Sequence, residues 1–132
     1  MILLDTHILI GLLSLSDYPV PENFRLAISQ SDTICVSVAS LWELALKHDA
    51  GRLPLAAAPE FIPTLIDAAK IKLLDITVPQ ALAGARQRAD TRDPFDRLLL
   101  GVCEVENLKL MTLDRALLSH PWAWKPKSRT AP

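Results

Sequence analysis

The sequence predicts an α/β domain built on a parallel sheet of four to five strands, with helices on both faces. Three observations predict it. Four short apolar runs recur along the chain, at residues 2–4, 34–36, 71–74 and 108–111. Such runs suit strands buried on both faces, since a half-solvated strand would alternate. The stretches between them carry helical spacing, with proline or glycine at several of the joins. That alternation is the pattern of βαβ units, and neither an internal repeat nor a long linker divides the 132 residues. The chain therefore reads as a single domain over residues 1–132, long enough for a sizeable core, with a loose basic tail from about residue 125.

Taken in order, residues 2–4 (ILL) end at Asp5, and Thr6 can cap a helix through Ile8, Leu9, Leu12 and Leu13. Pro19 and Pro21 break the chain, and Pro21 suits the first position of a helix through Phe24 and Ile28. The second strand ends at Ser37, where a helix opens that reaches Ala50 and is closed by Gly51. Residues 53–63 are rich in alanine and proline and lead as a loop into a helix over 60–70. After the third strand, Pro79 starts a helix to about Arg88, and a polar connection over 89–92 follows. Asp93 then stands as N-cap before Pro94, opening a helix in which Phe95, Leu98, Leu99, Val102 and Cys103 form a core-facing stripe. A loop at Asn107 leads into the fourth strand. Asp114 can cap a short helix over 115–119, and residues from Trp122 onwards offer a short edge strand.

Composition excludes several classes. Half of the chain is apolar, which a disordered segment would not be. No apolar run approaches the ~20 residues of a membrane span. The N-terminus has no basic region and an acid at position five, so a secretory signal is not expected. Cys35 and Cys103 lie in apolar runs and read as buried thiols of a reducing compartment, the cytoplasm. No Cys/His spacing suggests zinc. The net charge of −1 conceals an asymmetry, −5 over residues 1–67 and +4 over 68–132. Arg86, Arg88, Arg92 and Arg97 surround the acids at 93–96, and Lys125, Lys127 and Arg129 make the tail basic. Carboxylates among basic residues suit an anionic substrate drawn close to a bound cation. Ordinary solvated helix charge accounts for the same pattern about as well.

In such sheets, sites form beyond the carboxyl ends of the strands, where Asp5, Ser37 and Asp114 are expected. Each candidate acid has a structural role open to it. Asp5 can simply end a strand, with a cap role shared with Thr6. Glu43 completes capping-box spacing with Ser40 if the helix starts there, but is free to reach outward, and to pair with Lys47, if the helix starts at Ser37. Asp93 can be an N-cap, Asp96 a first-turn acid favoured by the helix dipole, and Asp114 another cap. These roles leave unexplained why four acids from separate segments should face one sheet edge. Clustered carboxylates repel, and a hard divalent cation, magnesium or manganese before zinc, relieves them. Such a site can activate water and stabilise charge developing on a phosphate. His7, His48 and His120 are scattered, and no nucleophile elbow or phosphate-binding glycine loop occurs. His7 lies two residues from Asp5, where lining the site is open to it, but it reads first as a surface histidine.

Three segments, MILLDTH, SVASLWELALKHDAGRL and RDPFDRLLLGVCEVENLKLMTLD, resemble in composition and order the PIN-domain ribonucleases, specifically the VapC-type toxins of toxin–antitoxin pairs. The resemblance spans residues 1 to about 118. It implies an α/β/α sandwich and a Mg2+- or Mn2+-dependent endoribonuclease. It also implies a homodimer, with a small antitoxin protein whose C-terminal segment covers the active site. Carried onto this chain, Asp5, Glu43, Asp96 and Asp114 are the metal-binding catalytic acids. Thr6, Thr112 and Asp93 are accessory, and Lys47, Arg92 and Arg97 are candidates for holding RNA. Relatives of this subgroup often carry an aromatic residue shortly after the DTH, where this chain has Ile10 and Gly11. One rival is a phosphoryl-transfer hydrolase with an aspartate nucleophile, which usually has a second aspartate where His7 stands. The other is a non-catalytic RNA- or protein-binding module on the same fold.

Overall fold

The computed structural model describes residues 1–87 and 91–126. Four parallel strands, β1 (Ile2–Leu4), β2 (Ile34–Ser37), β3 (Lys72–Leu74) and β4 (Lys109–Met111), form one sheet in the order β3-β2-β1-β4. The helices are α1 (Thr6–Leu12), α2 (Glu22–Gln30), α3 (Val38–Asp49), α4 (Ile62–Ala68), α5 (Val78–Arg86) and α6 (Pro94–Glu106). A 3-10 turn at Pro59–Phe61 precedes α4.

The apolar runs divide their side chains between two cores, because successive strand residues face opposite sides. Ile2 and Leu4, Ile34 and Val36, and Met111 join one core with Ile8 and Leu9 of α1, Phe24 of α2 and Ile62 and Ile66 of α4. Leu3, Cys35 and Leu110 join the other, with Leu99, Leu100, Val102 and Cys103 of α6. This division makes the α/β/α sandwich. Every fully buried Leu or Ile here stabilises the fold by roughly 1.5–3 kcal/mol.

Several local expectations change in detail. Asp5, not Thr6, is the N-cap of α1: its Oδ1 accepts from the Ile8 N–H at 2.8 Å. Pro21 caps α2 rather than opening it. The fifth α-helix begins at Val78, one residue before Pro79, because Thr77 and Gln80 close a capping box there. The segment after Asp114 forms hydrogen-bonded turns rather than a helix, with Asp114 Oδ1 accepting from Ala116 N–H at 3.0 Å. The stretch from Trp122 contributes a parallel bridge of Ala123 to Leu110 that shields the β4 edge. The end of the Pro79 helix at Arg88, part of the connection over 89–92 and the tail from Lys127 fall partly or wholly outside the described residues.

Outside the sheet, α5 lies on α6. A Cβ on Gly101 would stand 2.3 Å from the Gly84 nitrogen and 2.5 Å from the Gln80 carbonyl oxygen, so only glycine permits this approach. Gln80 is buried in the same contact, and its Nε2 donates to Glu106 Oε1 at 3.1 Å.

Candidate active site

The chain runs from β1 through β2 to β3 in one direction, and β4 returns to the other side of β1. That reversal opens a crevice beyond the carboxyl ends of β1 and β4, the place where open α/β sheets bind ligands. Asp5 follows β1 directly, and Asp114 lies three residues beyond β4. Ser37 ends β2 and caps α3 by accepting from the Ala39 N–H at 3.0 Å. With the helix starting there, Glu43 falls in its second turn and points back at the crevice.

A small cavity of about 80 Å3 results, lined by Asp5, Thr6, His7, Glu43, Lys47, Asp93, Asp96 and Asp114. All four predicted acids and Asp93 meet in it. Asp5 and Glu43 are buried at 8% and 5% exposure. Thr6 Oγ1 donates to Glu43 Oε1 at 2.5 Å, and Lys47 Nζ donates to Glu43 Oε2 at 2.8 Å. Asp93 caps α6 by accepting from the N–H of Phe95 at 2.8 Å and of Asp96 at 3.4 Å. Thr112 accepts the Asp114 N–H at 3.0 Å, and its side chain hydrogen-bonds Asp5.

Burial raises the pKa of Asp5, opposed by its bonds to Thr112 and Ile8 and by His7, while the Glu43 charge adds to the rise. Asp96 is pushed up to about 7, first by burial and then by Asp93, Asp114, Glu43 and Asp5. Its neighbours thus add a field of negative charge that Lys47, paired with Glu43, offsets only in part. A cation would relieve that field, and the all-oxygen donor set matches a hard divalent ion. Among the described residues, no group of three or more His, Cys, Asp or Glu side chains stands ready to hold a metal ion by itself. Magnesium needs no such cage, since it keeps several waters and binds through one or two carboxylates plus substrate phosphate. On those terms the residues fit.

Of the two readings open to His7, the structure takes the one beside Asp5, and it adds Tyr18, which the sequence did not single out. His7 lines the cavity instead of lying on the surface, and its ring stacks on Tyr18 with centroids 5.0 Å apart. Burial and the charges of Asp5 and Asp114 raise the Tyr18 pKa. The DTH spacing was a signal for His7; nothing local marked Tyr18. Of the three basic candidates, Lys47 reaches the cavity. Arg92 stands exposed before Asp93, and Arg97 donates to the Ala85 carbonyl at 2.9 Å, fastening α6 to the end of α5. A larger cavity, about 530 Å3, opens at the opposite end of the sheet around Met1, Ile2, Lys109 and Trp124, and no acid lines it.

The family model of the PIN domain matches residues 2–122. The chain belongs to the PIN domain family. No curated protein matches it in sequence. Among solved structures, this PIN domain is similar to a toxin–antitoxin complex from Klebsiella pneumoniae (TM-score 0.65, 17% identity, 96% of this chain and 98% of that one covered). It is also similar to DNA-bound VapBC from Salmonella typhimurium (TM-score 0.64, 20% identity, covering 92% and 93%). A third is VapC20 of Mycobacterium tuberculosis, a sarcin–ricin loop cleaving toxin (TM-score 0.54, 14% identity, covering 86% and 90%). At these identities the likeness is one of fold, and it confirms the α/β/α architecture of the PIN domain.

Proposed function

We infer that this PIN domain is a divalent-metal-dependent endoribonuclease, the toxin of a toxin–antitoxin pair. The observation that carries the reading is the convergence of Asp5, Glu43, Asp96 and Asp114 from four separate elements on one crevice. Asp5, Glu43 and Asp96 would hold the main Mg2+ or Mn2+ ion, directly or through its waters, and Asp114 would support a second ion or orient the attacking water. When bound, the cation lowers the pKa of water and neutralises charge on the phosphate.

The chain's own residues do the rest. Thr6 and Lys47 fix the two oxygens of Glu43, and Thr112 holds Asp5, so the buried carboxylates are oriented before substrate arrives. Lys47 and Arg92 supply positive charge for the RNA backbone. In the hydrolysis, water oxygen bonds to phosphorus, one phosphorus–oxygen ester bond breaks, and the leaving oxygen takes up a proton.

The likeness to toxin–antitoxin complexes supports an antitoxin partner, and the likeness to a sarcin–ricin loop cleaving toxin supports a nuclease. The same reading makes the protein a cytoplasmic homodimer. Among the described residues no helix is long and apolar enough to cross a membrane. The test is incubation of the purified protein with structured and single-stranded RNAs, with Mg2+ or Mn2+ and with EDTA. Cleavage that needs the metal is expected; cleavage undiminished by EDTA, or none with any metal, overturns the reading.

A further inference from the structure

The acid cavity is lined wholly by polar side chains. At about 80 Å3 it suits a phosphate and a cation but is too small to take a nucleobase as well. A nucleotide whose phosphate enters it must leave its base on the rim. Trp42 immediately precedes Glu43 on α3 and is 58% exposed. The Phe95 ring, between Asp93 and Asp96 on α6, meets it at 5.5 Å with the planes 66° apart. An edge-on prop of this kind fixes an indole while leaving a broad face uncovered. The two rings come from the two helices that supply Glu43 and Asp96.

The geometry points to Trp42, propped by Phe95, as a stacking platform for an unpaired base beside the scissile phosphate of RNA. This rests on the ribonuclease reading. Beyond Trp42 a cleft of about 470 Å3 continues along Leu46 and Pro59, with Asp49 and Glu60 on its walls. Those acids repel a phosphate chain, so the backbone keeps to the Lys47 side and only the base reaches the indole. Stacking on an aromatic side chain is tolerant of sequence, and it requires a base that is free of its own helix. The platform therefore selects unpaired nucleotides in loops or single strands.

The experiment compares wild type, Trp42→Ala and Trp42→Phe on a short single-stranded RNA in Mg2+. It repeats each on the same RNA carrying an abasic residue on either side of the cleaved bond. Expected is a KM raised about ten-fold in Trp42→Ala with kcat changed far less, and substantial recovery in Trp42→Phe. On the abasic RNA that removes the stacked base, wild type and Trp42→Ala should converge. Melting of the variants should stay close to wild type, lowered only by loss of the Phe95 contact, because most of the indole is exposed. Wild type that cleaves while Trp42→Ala keeps its KM on every substrate overturns the platform and leaves the ribonuclease reading standing. Unchanged KM with an altered oligomeric state assigns Trp42 to a protein interface instead, and also overturns it. A wild type that cleaves no RNA removes both readings together.

Discussion

Asp93 and Asp96 stand three residues apart at the start of α6, and the two are separable by experiment. Asp93 holds two backbone N–H groups, so Asp93→Ala should cost about 0.5–2 kcal/mol of stability. Asp93→Asn, which keeps a capping oxygen, should cost little and leave much of the activity. Asp96 accepts no hydrogen bond among the described residues and sits in the field of four other carboxylates. Asp96→Asn should leave the fold intact and reduce metal-dependent cleavage by orders of magnitude. A variant that cleaves RNA at close to the wild-type rate would sink the assignment. The same residue gives a pH signature. With a pKa of about 7 when folded against an ordinary value of 3.8, native Asp96 retains its proton where the unfolded chain has lost it. Its contribution to stability is therefore fully present below about pH 4, declines as pH rises towards 7, and is level above that. Asp5, also raised, acts in the same direction. Asp96 is half-buried, so solvent screening trims the size of the effect. In chelator, Asp96→Asn should melt higher than wild type near pH 7.5, and the gap should close towards pH 4. Parallel profiles would show that the carboxylates do not repel as their placement requires.

At the scale of elements, the α5–α6 pair is the most exacting contact. Gly101→Ala would place a methyl 2.3 Å from a backbone nitrogen, which no rotamer change can relieve. The helices must part, at a cost of about 1–3 kcal/mol by the usual penalty for overpacking. Urea unfolding measures it; an unchanged midpoint would mean that the helices are free to separate. Because α6 carries Asp93 and Asp96, activity should fall with stability, whereas Gly51→Ala, with nothing within 4 Å, should strain only a local turn at φ +73°. Helix α3 tells a related story. Its start at Ser37 rather than Ser40 moves Glu43 out of a capping role and into the crevice, where Thr6 and Lys47 take hold of it.

For the whole molecule, the parallel sheet makes the site, since the crevice exists only where β4 returns beside β1. Binding of a cation to the folded state alone must stabilise the protein. Adding Mn2+ or Mg2+ at pH 7.5 should therefore raise the melting temperature of wild type, and the rise should be much smaller in Asp96→Asn. Equal shifts in both proteins would place the binding elsewhere. A small antitoxin partner makes a further demand. Expressed alone the chain should be toxic, and co-expression with the product of a neighbouring short reading frame should relieve the toxicity. Harmless expression of the lone wild-type chain would favour the non-catalytic module.

The strands and their parallel order were legible because an apolar run buried on both faces has few other homes in a short chain. The caps at Ser37 and Asp93 and the Asn107 turn were legible because their chemistry is local, within three or four residues. The four acids could be nominated, each against a respectable structural role. What decided between those roles was tertiary. Asp5 turned out to cap α1 and also line the crevice, so the two roles were never exclusive. Tyr18 joined the site because the loop after α1 brings its ring against His7, a placement that no spacing encodes. Arg97 was drawn to the Ala85 carbonyl by the glycine-permitted approach of α5 to α6, a contact between segments that sequence periodicity cannot orient. Local hydrogen-bonding chemistry and the burial of apolar runs act over a few residues, and the sequence by itself determined those. Charge repulsion and helix approach act through space, and only the fold decided which groups would share it.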